Sequence, residues 1–229
     1  MMTAVIEEKK KIDFQNVNVR FSIRFDFILF PFDVIEFVEQ LARAGYTPTI
    51  PPPPKPIGQV RLSVKGKIAQ KGDVEVEMND DRGVITVSSV TPALAIQSLN
   101  EILQIVRDKL GVDLNAKAIF YEMIGNFGVK TGKNALEAIA RFNAKNSSIK
   151  DLGDILGQDV SGYTLRIVPK DQVPSSVEWL DITIEPNITK PSTNYKVQAI
   201  YRSKEKSKVD CFIQSIGENL QRIFEAIEA

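Results

Sequence analysis

The stretch VNVRFSIRFDF, residues 17–27, alternates apolar and polar side chains without a break. Because successive side chains of a β-strand point to opposite faces of its sheet, this alternation predicts a strand that is buried on one face only. The apolar face comprises Val17, Val19, Phe21, Ile23, Phe25 and Phe27. The polar face comprises Asn18, Arg20, Ser22, Arg24 and Asp26. The stretch is therefore predicted to be a half-buried strand.

A helix is predicted directly after this strand. Pro31 ends the strand, and Asp33 followed by Glu36 is typical of a helix N-terminus. Gly45 is typical of a helix end. The apolar side chains between these signals fall on one helical face, and they are Val34, Phe37, Val38 and Leu41.

The segment GYTPTIPPPPKPIG, residues 45–58, contains four consecutive prolines. Because proline has no backbone donor, this run cannot join a sheet, but it can cross a sheet edge as a stiff connection. We interpret it as a strap between the first helix and the second strand. Proline-rich segments also bind aromatic grooves of partner proteins, and that alternative stays open.

Three more strands are predicted after the prolines, because apolar and polar side chains alternate again. Their apolar side chains are Val60, Leu62, Val64, Val74, Val76, Met78, Ile85 and Val87. Residues 70–72 suit a three-residue hairpin loop with glycine in the left-handed position. That loop would place Lys67 opposite Glu75 and Lys65 opposite Glu77. A long helix follows, which Thr91 caps and Gly111 ends.

The order of strand, helix, three strands and long helix recurs in the second half of the chain. Its segments are a strand near 117–124, a helix opened by Asn134 and Glu137, strands around 163–168, 179–185 and 195–201, and a last helix opened by Ser207 and Asp210. We therefore predict an α+β fold of two pseudo-equivalent halves that form one antiparallel sheet with the helices on one face. The predicted division is a tail over 1–14, a first repeat over 15–113 and a second repeat over 114–229.

Three local features accompany this order of elements. QNVNV opens the first strand, Tyr46-Thr47-Pro48 leads to GQVRL at residues 58–62, and a hairpin precedes Thr91 and the long helix. Together with the element order, they resemble the repeats of the TATA-box-binding protein family. The resemblance implies a saddle-like sheet, and in that family the side of the sheet without helices binds the DNA minor groove.

The resemblance also implies a set of binding residues on the polar faces of the strands. They are Asn18, Arg20, Ser22, Arg24, Arg61, Ser63, Lys65 and Lys67. The family bends DNA with apolar wedges at strand ends, and the nearest counterparts here are Ile57 and Met78. Acidic side chains are predicted on the same face, including Glu75, Glu77, Asp181 and Glu185. Because carboxylates repel phosphates and pair with lysines, a solvated, salt-bridged face explains the same pattern.

The composition excludes several classes of function. Lys+Arg and Asp+Glu are equal at 29 each, so no net charge attracts the whole chain to nucleic acid or to an anionic membrane. The chain contains no histidine, which excludes Ser-His-Asp and Cys-His catalysis, and its single Cys211 cannot form an intrachain disulfide. No apolar run is long enough to span a membrane, and the first residues do not resemble a signal peptide. We therefore expect a cytoplasmic protein.

One glycine-rich stretch resembles a phosphate-binding loop, but its spacing differs from that motif. In GNFGVKTGKN, residues 125–134, only three residues separate Gly128 from Gly132, and Asn134 stands where the motif has a hydroxyl. We interpret it as a turn that enters a helix.

The sequence therefore predicts a non-catalytic binding protein that acts through the exposed face or rim of its sheet, without a metal or cofactor. The partner can be another protein, a second copy of the chain, or a nucleic acid. Binding of a DNA minor groove or a hybrid duplex is the alternative function. An enzyme or small-molecule-binding protein that uses carboxylates or lysines is the second alternative.

Overall fold

Two long strands pair at the centre of the sheet, and the rest of the fold is arranged around them. They are β1 (Asp13–Phe25) and β6 (Ala118–Lys130). They run antiparallel, and their pairing covers most of both strands. The computed structural model that contains them describes residues 12–26, 30–49, 64–145 and 148–229, without the side chains of residues 148 and 150.

Seven shorter strands extend the sheet on both sides of this central pair. They are β2 (Thr47–Pro48), β3 (Lys65–Lys71), β4 (Val74–Asn79), β5 (Val84–Ser89), β7 (Leu165–Ile167), β8 (Trp179–Pro186) and β9 (Asn194–Ser203). The strand order is β2-β3-β4-β5-β1-β6-β9-β8-β7, and every neighbouring pair is antiparallel. The order on one side of the central pair, β5-β4-β3, is therefore mirrored by β9-β8-β7 on the other.

Five α-helices lie in the described residues, on one side of the sheet. They are α1 (Val34–Arg43), α2 (Pro92–Leu110), α3 (Ala135–Asn143), α4 (Ser148–Leu156) and α5 (Lys206–Glu228). Thr91 accepts a hydrogen bond from the backbone N–H of Leu94 and so caps α2, as its sequence predicts. The predicted α+β class with one antiparallel sheet and helices on one side is confirmed.

The central strand β1 is buried on its apolar face, as its alternation predicts. Val19, Phe21 and Ile23 are fully buried. The two long helices α2 and α5 cover this face of the sheet with their own apolar stripes. The fully buried members include Leu99, Ile102, Val106, Val209 and Leu220. Burial of this apolar face is the main source of stability, at about 25 cal/mol per Å² removed from water.

The hairpin between β3 and β4 differs in register from the sequence prediction. The turn contains two residues, Gly72 and Asp73, and a bulge after Lys67 shifts the rest of β3. Lys67 therefore lies opposite Glu77 and not opposite Glu75, and the predicted pairing was wrong. The Lys67 ammonium still reaches diagonally to the Glu75 carboxylate at 2.6 Å. The predicted ion pair between Lys67 and Glu75 is therefore present, although the two residues are not directly opposite each other.

The structure contains one helix that the sequence did not predict. It is α4, between α3 and the strand predicted around residues 163–168, and its apolar Leu152, Ile155 and Leu156 are exposed. The strand predicted from Val60 begins, in the described residues, only at Lys65, and the four consecutive prolines, residues 51–54, lie outside the described residues.

The buried hydroxyl of Tyr121 predicts a loss of stability at alkaline pH. It donates a hydrogen bond to Asn115 Oδ1 at 2.7 Å. Burial, and then the charges of Asp113 and Asp210, raise the pKa of Tyr121 from 10.0 to about 12. Between these values the unfolded chain loses the phenolic proton and the folded chain keeps it. The free energy of unfolding should therefore fall as pH rises above about 10.

Urea unfolding from pH 8 to pH 11.5 checks this, with Tyr121→Phe as the variant. The variant should lose stability more slowly with pH than the parent, by up to about 1.4 kcal/mol per pH unit. Its difference from the parent at pH 8 reports only the lost hydrogen bond and serves as the internal control. Parallel curves for both proteins across the whole range would contradict the prediction.

Candidate binding site on the open face of the sheet

The face of the sheet opposite the helices carries polar side chains in rows that cross the strands. The central row contains Ser22 of β1, which lies between Thr86 of β5 and Glu122 of β6. The Ser22 and Thr86 hydroxyls are 2.8 Å apart and hydrogen-bonded, and both side chains are buried. Glu77 and Arg202 extend this row on either side. We call this side the open face.

A concavity of about 470 Å³ lies over this row. Its charged lining contains four arginines and two glutamates: Arg20, Arg24, Arg82, Arg202, Glu77 and Glu122. The formal charge of this lining is therefore +2. Val84, Phe120 and Ile124 add apolar surface beside the two central hydroxyls. This combination of guanidiniums, hydroxyls and apolar side chains suits an anionic ligand.

Two of the four arginines are held by the glutamates. The Arg20 guanidinium is 2.7 Å from Glu77, and the Arg202 guanidinium donates two hydrogen bonds to Glu122 at 2.7 and 2.5 Å. Arg202 also donates to the carbonyls of Pro174 and Ser176, each at 3.1 Å. Arg202 is therefore fixed from two directions.

The other two arginines have no ion-pair partner among the described residues. Arg24 lies with its guanidinium carbon 5.6 Å from the centre of the Phe120 ring, and the Arg202 guanidinium is 4.6 Å from the same ring. Arg82 lies in a 3-10 turn over residues 80–82, between β4 and β5. Both side chains are exposed. They account for the excess positive charge of the concavity.

Five carboxylates on the strands of the open face are paired with basic side chains, two of them in the concavity and three outside it. The pairs are Lys67–Glu75, Arg20–Glu77, Arg202–Glu122, Arg166–Asp181 and Lys196–Glu185. The pairs are solvent-exposed to different degrees, and the more exposed of them contribute modestly to stability. Their functional consequence is that a ligand covering the whole face would lie against negative as well as positive groups.

The structure brings some of the sequence-predicted site residues together and not others. Arg20, Ser22 and Arg24 line the concavity, whereas Asn18, Lys65 and Lys67 lie outside its lining. Arg61, Ser63 and Ile57 lie outside the described residues. Met78, expected as a wedge, has a side chain that is 1% exposed and packs into the core, so it does not project from the rim.

Sequence reasoning missed Arg82, Phe120, Glu122 and Arg202. Arg82 lies in the stretch NDDRG, residues 79–83, between two predicted strands, and Arg202 lies near the end of β9, where the charged stretch RSKEKSK begins. Phe120 and Glu122 had one usable signal, because apolar side chains recur at every second position at Tyr121, Met123, Phe127 and Val129, with Gly125 between them. Their place in the site follows from β6 lying beside β1, which no local pattern predicts.

Comparisons with protein-family models and with curated proteins found no match for this chain. Within the described ranges, no group of three or more Cys, Asp or Glu side chains is placed to hold a metal ion. None of the helices there has the length and apolar character that crossing a bilayer requires.

Exposed apolar side chains are concentrated in residues 152–188, which run from α4 through β7 and β8 to the turn after β8. Seven of the ten large exposed apolar side chains in the described residues belong to this segment. They are Leu152, Ile155, Leu156, Tyr163, Val168, Val173 and Ile188. Because β7 is the last strand of the sheet at this end, we call this set of side chains the β7 flank.

The double attachment of Arg202 predicts a large cost for its removal. The Arg202 and Glu122 side chains are only 18% and 16% exposed. Arg202→Ala would leave the Glu122 carboxylate without its guanidinium and two carbonyls without donors, which should cost about 1–3 kcal/mol of stability. Arg202→Lys should recover little, because an ammonium cannot donate in the same fork.

Urea unfolding of Lys196→Ala supplies the matched control. Lys196 is 55% exposed and also pairs with a strand carboxylate, Glu185, at 3.0 Å. Its removal should cost less than about 1 kcal/mol. Equal losses for Arg202→Ala and Lys196→Ala would contradict the special role given to Arg202.

Proposed function

We propose that this chain is a non-catalytic binding protein that holds an anionic ligand on the open face of its sheet. The observation that carries the proposal is the concavity with four guanidiniums, two of which have no carboxylate partner in the described residues. Unpaired guanidiniums that line one concavity raise the local positive potential, which favours binding of an anion. The cytoplasmic location expected from the sequence stays a prediction.

Two features of the fold support the resemblance to the TATA-box-binding protein family. The mirrored strand order about β1 and β6 is what two repeats over 15–113 and 114–229 would produce. An uncovered sheet face, opposite the helices, is also what that resemblance implies. We therefore propose a pseudo-twofold relation between the halves, and nucleic acid as one class of anionic ligand.

The charge distribution argues against a duplex that lies across the whole face. The five paired carboxylates of the open face would oppose its phosphates, and the uncompensated charge is concentrated at Arg24 and Arg82. Met78 is buried and offers no wedge for a kinked duplex. A compact anion therefore fits the face better than an extended one.

A fluorescence-anisotropy titration at several salt concentrations tests the proposal with labelled duplex DNA, single-stranded DNA and RNA. If binding uses only the two uncompensated arginines, log affinity should fall against log salt with a slope of about −1.4 for single strands and about −1.8 for duplex. The double variant Arg24→Ala, Arg82→Ala should remove binding. Arg166→Ala, an arginine of the same face outside the concavity, is the matched control and should bind as the parent does.

The slope separates the proposed site from the family's mode of DNA binding. A slope several times steeper for duplex would mean that many phosphates are neutralised across the face, which contradicts a compact site. Binding that the double variant leaves unchanged would contradict the concavity as the site. Absence of binding by every nucleic acid would leave protein and small-molecule anions as the ligands to test.

A protein-interaction role is the second candidate, and the β7 flank favours it. β7 lies at the end of the sheet, and no strand of the described residues pairs with its outer edge, where its three residues offer a short ladder to another strand. Two antiparallel edges related by a twofold axis are self-complementary, so the occupant that this edge fits is a second copy of the chain. The exposed apolar side chains around it would be covered in such a dimer.

Light scattering coupled to gel filtration checks this second candidate. The parent should elute as a dimer, and the double variant Ile155→Glu, Ile188→Glu as a monomer, because charges would be placed on the β7 flank. Val90→Glu is the control, since Val90 is 47% exposed and lies just before α2, outside the flank. A parent that is monomeric at high concentration would contradict the dimer.

A further inference from the structure

Arg24 and Arg82 are brought together by the backbone, although 57 residues separate them in sequence. The residues that follow them are joined directly, because the Phe25 N–H donates to the Gly83 carbonyl at 2.8 Å. Arg24 is also in register with Val84, two residues after Arg82. The side chains of Arg24 and Arg82 therefore leave the backbone at adjacent points, at the same end of the concavity that both of them line.

The turn that carries Arg82 is well defined. Asn79 Oδ1 accepts a hydrogen bond from the Arg82 backbone N–H at 3.1 Å. Gly83 follows in the left-handed conformation at φ 57°, which glycine adopts at low cost. The nearby Asp81 is paired with Lys65. The backbone position of Arg82 is therefore set by the fold, and the exposed carboxylate next to it in sequence is already engaged.

The centre of the concavity supplies a hydroxyl donor. In the Ser22–Thr86 hydrogen bond, one hydroxyl donates and the other accepts, so the proton of the accepting hydroxyl is not used between them. That proton is available to a ligand oxygen. A group that accepts from two guanidiniums and a hydroxyl needs several oxygens in a compact arrangement, which a phosphoryl group provides.

The two ion pairs of the concavity limit the negative charge that a ligand can carry. Glu77 and Glu122, on either side of the central hydroxyls, neutralise Arg20 and Arg202, so a second phosphate placed there would lie against carboxylates. Apolar surface from Ile124 and Phe120 adjoins the two hydroxyls and suits an organic group. A single charged group with an uncharged organic part therefore fits the whole lining better than a polyanion does.

We infer that Arg24 and Arg82 form a binding site for the phosphoryl group of a small phosphomonoester. The organic part of the ligand lies over Phe120 and Ile124, and the Ser22–Thr86 pair donates to a phosphoryl oxygen. This inference rests on the proposed function and names the ligand class of the same concavity.

Isothermal titration calorimetry of the full chain tests the inference, with phenyl phosphate, inorganic phosphate, pyrophosphate and sulfate as probes. Phenyl phosphate should bind more tightly than inorganic phosphate, and pyrophosphate should gain nothing over inorganic phosphate. Each single variant, Arg24→Ala or Arg82→Ala, should weaken phenyl phosphate binding about tenfold or more, since each removes a charge-assisted contact. The lysine variants should recover part of the affinity, because they restore the charge without the fork.

Two controls show whether a loss of binding comes from unfolding or from the loss of any arginine on the open face. Both arginine side chains are exposed, so the alanine variants should keep the parent's unfolding midpoint. Arg166→Ala removes an arginine that pairs with Asp181 outside the concavity, and it should leave phenyl phosphate binding unchanged.

The outcomes distinguish this inference from the proposed function. Phosphomonoester binding that depends on Arg24 and Arg82 supports both the inference and the proposed function. Failure of all four small anions, with an oligonucleotide still bound through Arg24 and Arg82, overturns the phosphomonoester and leaves the proposed function standing. Small-anion binding that the double variant does not change overturns the site. Failure of small anions and nucleic acids alike overturns the inference and removes the main support for an anionic ligand.

Discussion

The antiparallel pairing of β1 with β6 is the constraint on which the rest of the structure depends. It joins two thirteen-residue strands from different halves of the chain and sets which residues of each lie side by side. Because side chains alternate in both strands, one register places Phe21 and Met123 in the core and Ser22 and Glu122 on the open face. The core and the candidate site are therefore two results of the same pairing.

The arrangement of charge on the open face follows from that register and from the neighbouring ladders. The row from Glu77 through Thr86, Ser22 and Glu122 to Arg202 uses one residue from each of five adjacent strands. Glu122 and Arg202 neutralise each other within this row, and Glu77 is neutralised by Arg20 beside it. Arg24 and Arg82 lie where the β4–β5 turn meets the end of β1, and no carboxylate of the described residues pairs with them. A chain with no net charge can in this way present a local basic site.

Local patterns predicted the parts of the fold that depend on residues close in sequence. The period-two alternation of residues 17–27 identified β1 and its buried face, and the Thr91 cap identified the start of α2. The position of the hairpin turn and the bulge after Lys67 have no such signature, because they depend on how β3 meets β4, and together they moved Lys67 from Glu75 to Glu77. Helix α4 was missed although Leu152, Ile155 and Leu156 recur at helical spacing, because polar and glycine residues on both sides of them favoured a loop. In the site, Arg20, Ser22 and Arg24 were found from β1 alone, whereas Phe120 and Arg202 needed the strand order, since they come from β6 and β9.

The hydrogen bonds of Arg202 link the concavity to a part of the chain that does not line it. Its guanidinium binds Glu122 and also the carbonyls of residues 174 and 176, in the connection that leads into β8. A ligand that drew Arg202 away from those carbonyls would release this connection, and a partner that displaced the connection would change the position of a guanidinium in the concavity. The two effects must be equal in free energy, because linkage between sites is reciprocal. If a ligand shifts Arg202, occupancy of the concavity and the conformation of residues 174–176 are coupled through this one guanidinium.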